Sequence, residues 1–420
     1  MTSRERVLKS LSHEQPDKVP IDLGATYNSG ISACALYRLR EYYDLEKKPV
    51  RIYETSQMIG TVDADVRQKM QIDVIGLNSA KDCARVSLHG ATQPFTMPDG
   101  TPVLITDKHQ YDIDEKGKTF LYPQGNRELE ASYLMPEGGY FFDAINRSPG
   151  FDEDDLTPEE DFKDDFQLMS DEDADWYAEN SKLLRETTDC AIFGCFGMGG
   201  IGDPSAIPGG GVAHPKGIRT YQDWCMAQLL YPEYIHTVFE MQTQNAIKSL
   251  EIYKQAVDDN IDVINISGTD FGTQVAPIMS LDTFRELYKP YYQRMNDWVH
   301  NNTNWKTHYH CCGAMKIFIE DFIEMGVDVL NPVQLSAVGM DAHELKDKYG
   351  DRITFWGGGV DTQNLLPNGT PEDVKAQVKE RLDILARGGG YVFNTIHNIM
   401  GNVPSENIAA CFEAANEFTF

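Results

Sequence analysis

The sequence predicts a closed (β/α)8 TIM barrel with a β-hairpin insertion and an acidic segment in its N-terminal half. Two patterns carry that expectation, and the chain length agrees with it. From residue 172 onward, short apolar runs alternate with amphipathic stretches of helical length. That alternation implies parallel strands joined by right-handed crossovers. The unit recurs six times or more, which favours a closed barrel over an open sheet. A chain of 420 residues is long enough for several domains, but barrels of this kind run long as one unit. We therefore expect one domain over residues 1–420, interrupted by an insertion at about 80–170.

Residues 2–12 read as a helix that Ser3 could cap, with Val7, Leu8 and Leu11 at helical spacing. Residues 19–23 read as a first buried strand and 31–43 as a second helix. Residues 73–77 give a short strand. The turn signals at 98–100 and 114–117, set between apolar runs such as 103–106, then indicate hairpins rather than another repeat. Strands are expected at 190–194, 262–266, 305–310, 327–330, 353–356 and 391–394. Helices are expected at 172–187, 219–230, 232–257, 281–301, 314–325, 371–387 and 404–418, with residues 341–349 between two strands. The Gly-rich loop 197–217 lacks both the Lys of a P-loop and a dinucleotide fingerprint, so it reads as a flexible barrel loop.

Composition narrows the function. The net charge is −28, which argues against nucleic acid and anionic membrane surfaces as partners. Thirteen Asp or Glu and one Lys lie between Asp152 and Asp175. This run reads as a solvated face or as a docking face for a basic partner. The eight cysteines do not form a short, regular framework, and no apolar stretch is long enough for a signal peptide or a membrane span. Reduced thiols in the cytoplasm are the expectation.

In a barrel, chemistry gathers where strands end at the C-terminal face. Polar residues follow each predicted strand there. They include Asn265, Asp270 and Gln274, then His308 to Cys312, Asn331 and Gln334, Asp361, and finally Asn394 and His397. The densest group is His308-Tyr-His-Cys-Cys-Gly313. Alternation along a strand puts His308, His310 and Cys312 on one face and Cys311 on the other. Imidazole and thiolate together suit Zn2+, with a further ligand from another strand. Buried His and Cys without a metal would show the same spacing. Asp270 and Asp361 read either as turn or cap carboxylates or as pocket groups that orient substrate and carry protons.

Several segments, taken in order, resemble the uroporphyrinogen decarboxylase-like superfamily. They are Arg4-Glu-Arg-Val-Leu-Lys-Ser-Leu11, Pro16-Asp-Lys-Val-Pro20, Gly268-Thr-Asp-Phe-Gly-Thr-Gln274, Tyr288-Lys-Pro-Tyr-Tyr292, His310-Cys-Cys-Gly313, Gly326-Val-Asp-Val-Leu-Asn-Pro332, Gly358-Gly-Val-Asp361 and Val403-Pro-Ser-Glu-Asn407. The resemblance implies the barrel fold, a possible homodimer and one of two chemistries. Decarboxylases of the superfamily carry an Arg-rich stretch after the first strand that grips substrate carboxylates. Here residues 22–29 hold no Arg. Methyltransferases of the superfamily carry H-x-C-G at a strand end and a later Cys near the last strand. His310 and Cys312 match the first part, and His397 stands at the later position.

The resemblance thus implies a zinc site of His310, Cys312 and His397. Their places just past strand ends make Asp270 and Asp361 the candidate catalytic groups, and Asn265, Gln274, Asn331 and Gln334 the candidate substrate contacts. The implied activity moves a methyl group between a small methylated substrate, such as a methoxylated aromatic, and a corrinoid (cobalamin) carried by a partner protein. Uroporphyrinogen decarboxylase activity and a non-catalytic ligand-binding barrel are the alternatives.

Overall fold

A computed structural model describes all 420 residues. Seven parallel strands form one sheet in chain order: β1 (Val74–Leu77), β2 (Ala191–Gly194), β3 (Val263–Ser267), β4 (Lys306–His310), β5 (Val329–Asn331), β6 (Thr354–Trp356) and β7 (Tyr391–Val392). Residues 20–22 join its two edges. The Asp22 amide donates to Phe393 O at 2.9 Å, and the Phe393 amide donates to Pro20 O at 2.8 Å. On the other side the Asp73 amide donates to Ile21 O at 2.8 Å. The sheet therefore closes on itself with an eighth, minimal stave. Pro20 has no amide to give, and the Ile21 amide donates to the Asp73 carboxylate at 3.0 Å instead of to a carbonyl. The ladder on this stave is correspondingly short.

An Asp opens several staves and pins the neighbour before it. Asp73 accepts the Ile21 amide, Asp262 the Ile192 amide at 2.8 Å, and Asp328 the Thr307 amide at 2.8 Å. Arg6 pairs with Asp73, Arg4 and Arg185 with Asp262, and Lys306 with Asp328. These staples sit at the N-terminal ends of the strands, where residues serve stability rather than chemistry. They hold the register that brings the opposite ends together.

The helix Ser3–Leu11 plugs that lower end. Its Val7 and Leu11 pack with Val74, Ala191, Phe193, Val263, Val329, Trp356 and Val392, which fill the barrel interior. A second core of 92 buried residues lies mainly between the strands and the surrounding helices. Thr2, not Ser3, caps the first helix. Its hydroxyl accepts from the Glu5 amide while Glu5 accepts from the Thr2 amide, and only the Thr2/Glu5 spacing closes this reciprocal box.

Two further expectations are revised. The helix expected at 281–301 is two helices, Leu281–Leu287 and Lys289–Asn302, broken at Tyr288. Pro290 at the start of the second cannot donate to the carbonyl four residues back, and its ring disfavours helical backbone before it. The insertion is more than a hairpin. Thr92–Thr96 and Pro102–Thr106 pair around the turn at 98–100, then dock in parallel on Val50–Glu54, which also pairs with Ile59–Gly60. A separate antiparallel meander runs Tyr111–Ile113, Thr119–Leu121, Tyr133–Met135 and Asp143–Ala144.

The acidic run is largely exposed but has anchored members. Asp165 makes a two-pronged pair with the buried Arg219, at 2.7 and 2.8 Å, and Asp173 meets Lys81 at 2.6 Å. Asp171, Glu172 and Asp173 form the first turn of the helix Asp171–Thr187, where negative charge complements the helix dipole. All eight cysteines are free, and no helix is long and apolar enough to cross a membrane.

Candidate metal centre and cavity

The C-terminal mouth of the barrel opens into a cavity of about 670 Å3. His310, at the end of β4, is buried in its wall, and Cys312 follows in the turn beyond. His397 arrives from the segment after β7. One ligand-capable atom of each of these three residues lies within 4.8 Å of the other two. The His310 and His397 rings meet edge to face, with centroids 5.3 Å apart.

The hydrogen bonds around His310 fix which nitrogen it offers. The Asn331 amide nitrogen donates to Trp356 O at 2.8 Å, so its oxygen faces His310 and accepts from Nδ1 at 2.5 Å. The Nδ1 proton is thereby assigned, and the lone pair on Nε2 faces the Cys312 Sγ at 3.3 Å. A nitrogen at about 2.0 Å and a sulfur at about 2.3 Å from one tetrahedral zinc lie about 3.5 Å apart. The donor set therefore fits a zinc ion, and Asn331 supplies the outer hydrogen bond that a ligating imidazole needs.

The electrostatics agree. Burial holds the His310 pKa down to about 4. Burial, and then His310, do the same for His397, also to about 4. Both rings stay neutral with free lone pairs. Burial, and then Asp270, push the Cys312 thiol well up in the absence of an ion. A bound divalent cation reverses that preference, because the thiolate is the ligand.

Asp270 stands at the rim of the triad. Its Oδ1 accepts the Cys312 amide at 2.5 Å and lies 3.9 Å from His310 Nε2. It therefore places the Cys312 backbone while its half-exposed carboxylate faces the cavity. Asn265, on β3, also lines the cavity. Its oxygen accepts from His308 Nδ1 at 2.9 Å. His308 lies below the triad, between the Phe193 and Trp356 rings. Cys311 points into the core and accepts the Phe271 amide at 3.3 Å.

The other expected residues lie elsewhere. Asn331 acts behind His310 rather than on the cavity surface. Gln334 accepts the Gly313 amide at 2.8 Å and donates to Gln274 at 3.0 Å, so this pair braces the turn after Cys312. Asp361 accepts from the Gln363 and Asn364 amides at 2.8 and 3.2 Å and from the Asn364 side chain. It caps a local turn, and the structure does not bring it to the triad.

Several cavity residues are not marked in the sequence. The Gly-rich loop is a wall, not a free flap. At Gly199 a Cβ would fall 1.9 Å from Ile266 O, so only glycine lets the loop rest on β3. That close approach carries Asp203 into the cavity. Its Oδ1 accepts from the Ser205 amide and hydroxyl at 2.9 and 2.8 Å. Burial, with Asp270 adding, pushes its pKa up to about 6. Tyr27, from the loop after the first stave, lines the same space.

Comparison with known proteins gives a family match, two curated relatives and a structural neighbour. Residues 212–418 match the family model described as Uroporphyrinogen decarboxylase (URO-D). The uroporphyrinogen decarboxylase of Methylococcus capsulatus is 28% identical over 102 residues, which is 24% of this chain and 27% of that protein. The uroporphyrinogen decarboxylase of Coxiella burnetii is 34% identical over 87 residues, 20% of this chain and 23% of that protein. The chain thus matches only about a quarter of the length of these curated relatives. The whole fold superposes on a methyltransferase from Methanosarcina mazei with a TM-score of 0.56. That match covers 100% of this chain and 99% of the other at 18% identity, and it shows a shared fold.

Proposed function

We propose, from the match of residues 212–418 to the uroporphyrinogen decarboxylase (URO-D) family model, that this chain is a barrel enzyme on the methyltransferase side of that superfamily. It moves a methyl group between a small methylated substrate, such as a methoxylated aromatic, and a corrinoid carried by a partner protein. The whole chain, 1–420, acts as the unit, with its zinc ion held by His310, Cys312 and His397. The observation that carries this reading is the meeting of those three side chains at the barrel mouth.

A zinc ion bound there supplies Lewis acidity toward the heteroatom that carries the methyl group. The chain's own residues do the rest. Asn331 holds the His310 ring in one tautomer. Asp270 fixes the Cys312 backbone and presents a carboxylate to the substrate space.

The matched relatives are decarboxylases by name, but the cavity is poorly suited to a polyanionic substrate. Its two wall cations are already engaged, Lys81 with Asp173 at 2.6 Å and Arg85 with the carbonyls of Asp164 and Asp165. Asp203, Asp270 and Glu54 have no Lys or Arg partner. A substrate rich in carboxylates needs free guanidinium forks.

The test is metal analysis followed by methyl transfer from aryl methyl ethers to free cob(I)alamin, read as methylcobalamin and phenol. The expected result is about one zinc per chain and zinc-dependent demethylation, lost in Cys312→Ala. A folded, zinc-free protein that decarboxylates uroporphyrinogen and transfers no methyl group would overturn the reading.

A further inference from the structure

The hydrogen bonds beneath the triad have a direction. The Asn265 oxygen accepts from His308 Nδ1, so its amide nitrogen turns the other way and donates to the Tyr27 hydroxyl oxygen. His308 is buried between the Phe193 and Trp356 rings, and its one polar contact is the Nδ1 proton that Asn265 accepts. With that proton on Nδ1, Nε2 is bare, and it has no polar partner. A bare lone pair against the edges and faces of Phe193 and Trp356 costs less than a stranded N–H would. The relay therefore runs from His308 through Asn265 to Tyr27, and the Tyr27 oxygen is occupied as an acceptor.

The Tyr27 proton must then go somewhere else. No protein group accepts it, while Tyr27 backbone O is held from outside by Gln57 and Asn398. The ring lines the same cavity as Asp270, His310 and His397. Position also follows from the strand. His308 and His310 lie two residues apart on one face of β4, about 6–7 Å along it. Asn265 pairs beside His308 in the adjacent strand. The Tyr27 hydroxyl is thus one layer from the triad, on the cavity floor. Burial, with Cys195, Asp203 and Glu54 adding, pushes its pKa up, so it remains a phenol and a donor.

The geometry points to Tyr27 as a catalytic residue that donates a hydrogen bond to the oxygen leaving the methyl group, with Asn265 and His308 as positioning residues behind it. This rests on the methyl-transfer reading above. In that step the carbon–oxygen bond of the ether breaks. The electron pair of the cob(I)alamin co-substrate forms the carbon–cobalt bond. The oxygen keeps its bonding pair as a phenoxide and takes a proton from water on release. A donor aimed at that oxygen is worth more in the transition state than in the ground state, because the charge grows there. Its position at a strand end predicts a direct substrate contact for Asn265. In the structure its amide is spent on aiming Tyr27.

The test uses the full-length zinc-loaded protein and Tyr27→Phe. With free cob(I)alamin and a series of aryl methyl ethers, kcat is expected to fall about 10–1000-fold, with KM changed less than about threefold. The loss is expected to be largest for anisole and smallest for 4-nitroanisole, whose leaving oxygen needs least help. Asn265→Ala is expected to lose less, and the double variant no more than Tyr27→Phe alone. A second readout needs no turnover: 4-nitrophenolate binding, followed by its visible absorbance, is expected to weaken about tenfold in Tyr27→Phe. Wild-type nitrophenolate affinity in folded, zinc-replete Tyr27→Phe overturns the role of Tyr27, whether or not the protein demethylates. A loss of kcat equal across the whole ether series also overturns it. If nitrophenolate binding weakens as expected but wild-type protein demethylates no ether, the oxygen-donor role stands and the methyl-transfer reading is what fails.

Discussion

Replacing Asn331 with leucine removes both hydrogen bonds of one buried amide while keeping most of its volume. His310 Nδ1 loses its acceptor at 2.5 Å, and Trp356 O loses its donor at 2.8 Å. Two effects separate in magnitude. Stripping the buried Trp356 carbonyl costs about 1–3 kcal/mol of folding stability. Freeing the imidazole costs metal affinity, because Nδ1 no longer selects the tautomer with Nε2 open. Outer-shell losses of this kind run about 10–100-fold, or about 1.4–2.7 kcal/mol. The assay is competitive chelator titration of zinc on protein shown to be folded by near-UV circular dichroism. The expected curve is shifted by that factor, with the zinc stoichiometry at saturation unchanged. Wild-type zinc affinity in a folded Asn331→Leu protein would refute the argument that this amide orients a metal ligand.

Three other outcomes are expected from the same geometry. Cys311→Ala is expected to keep zinc while Cys312→Ala and His397→Ala lose most of it at matched chelator concentration; equal loss in the two cysteine variants would contradict the opposed faces of this turn. Asp22 is fully buried, accepts Trp356 Nε1 at 2.9 Å, and is pushed up to about 6 by burial. A carboxyl raised on folding stabilises fully below its unfolded pKa near 4 and loses that contribution as pH rises through 6. Asp22→Asn is therefore expected to remove on the order of 3 kcal/mol of the stability lost between pH 4 and pH 7, read by urea unfolding at each pH; an unchanged difference would count against a neutral Asp22. Gly199→Ala is expected to destabilise by about 1–3 kcal/mol, since its Cβ meets Ile266 O at 1.9 Å, and a wild-type urea midpoint would mean that the loop does not rest on β3.

The barrel was readable because its signals are local and repeated. Most strands after 190 are short apolar runs, and several are followed by polar residues near the mouth. The pair His310 and Cys312 was readable for the same reason, since strand alternation alone puts them on one side. Residues 50–60 carry no such signal. Val50–Glu54 holds Arg51 and Glu54, and its strand pairs with Ile59–Gly60 on one side and with a hairpin from the insertion on the other. Asp361 and Asp270 look alike in sequence, each a carboxylate just past a strand. They differ in the amides that meet them. Asp361 caps the amides of Gln363 and Asn364, its own near neighbours in the chain, whereas Asp270 is met by the Cys312 amide from the neighbouring strand end. Long-range partners of this kind decide which carboxylate reaches a site, and no local pattern encodes them. Tyr27 was hidden in the same way, because its significance lies in a contact with Asn265 from a distant strand.

His397 and Tyr27 come from opposite ends of the chain, yet one residue ties their segments together. Asn398 donates to Tyr27 O and to Gln57 at 2.8 Å each, and its oxygen accepts the Gly30 amide. Asn394 adds a bond to Asp22 O at 2.8 Å. The seam that closes the barrel, between its first and last staves, is thus also the clasp that holds a candidate metal ligand and a candidate hydrogen-bond donor in one frame. The strand Val50–Glu54 reinforces it, since Tyr53 donates to Thr26 O at 2.7 Å. The two groups need no rigid loop of their own. Their relative position is set by barrel closure, the cooperative and strongly determined feature of the fold, and so disturbing the seam at Asn398 should move both groups together.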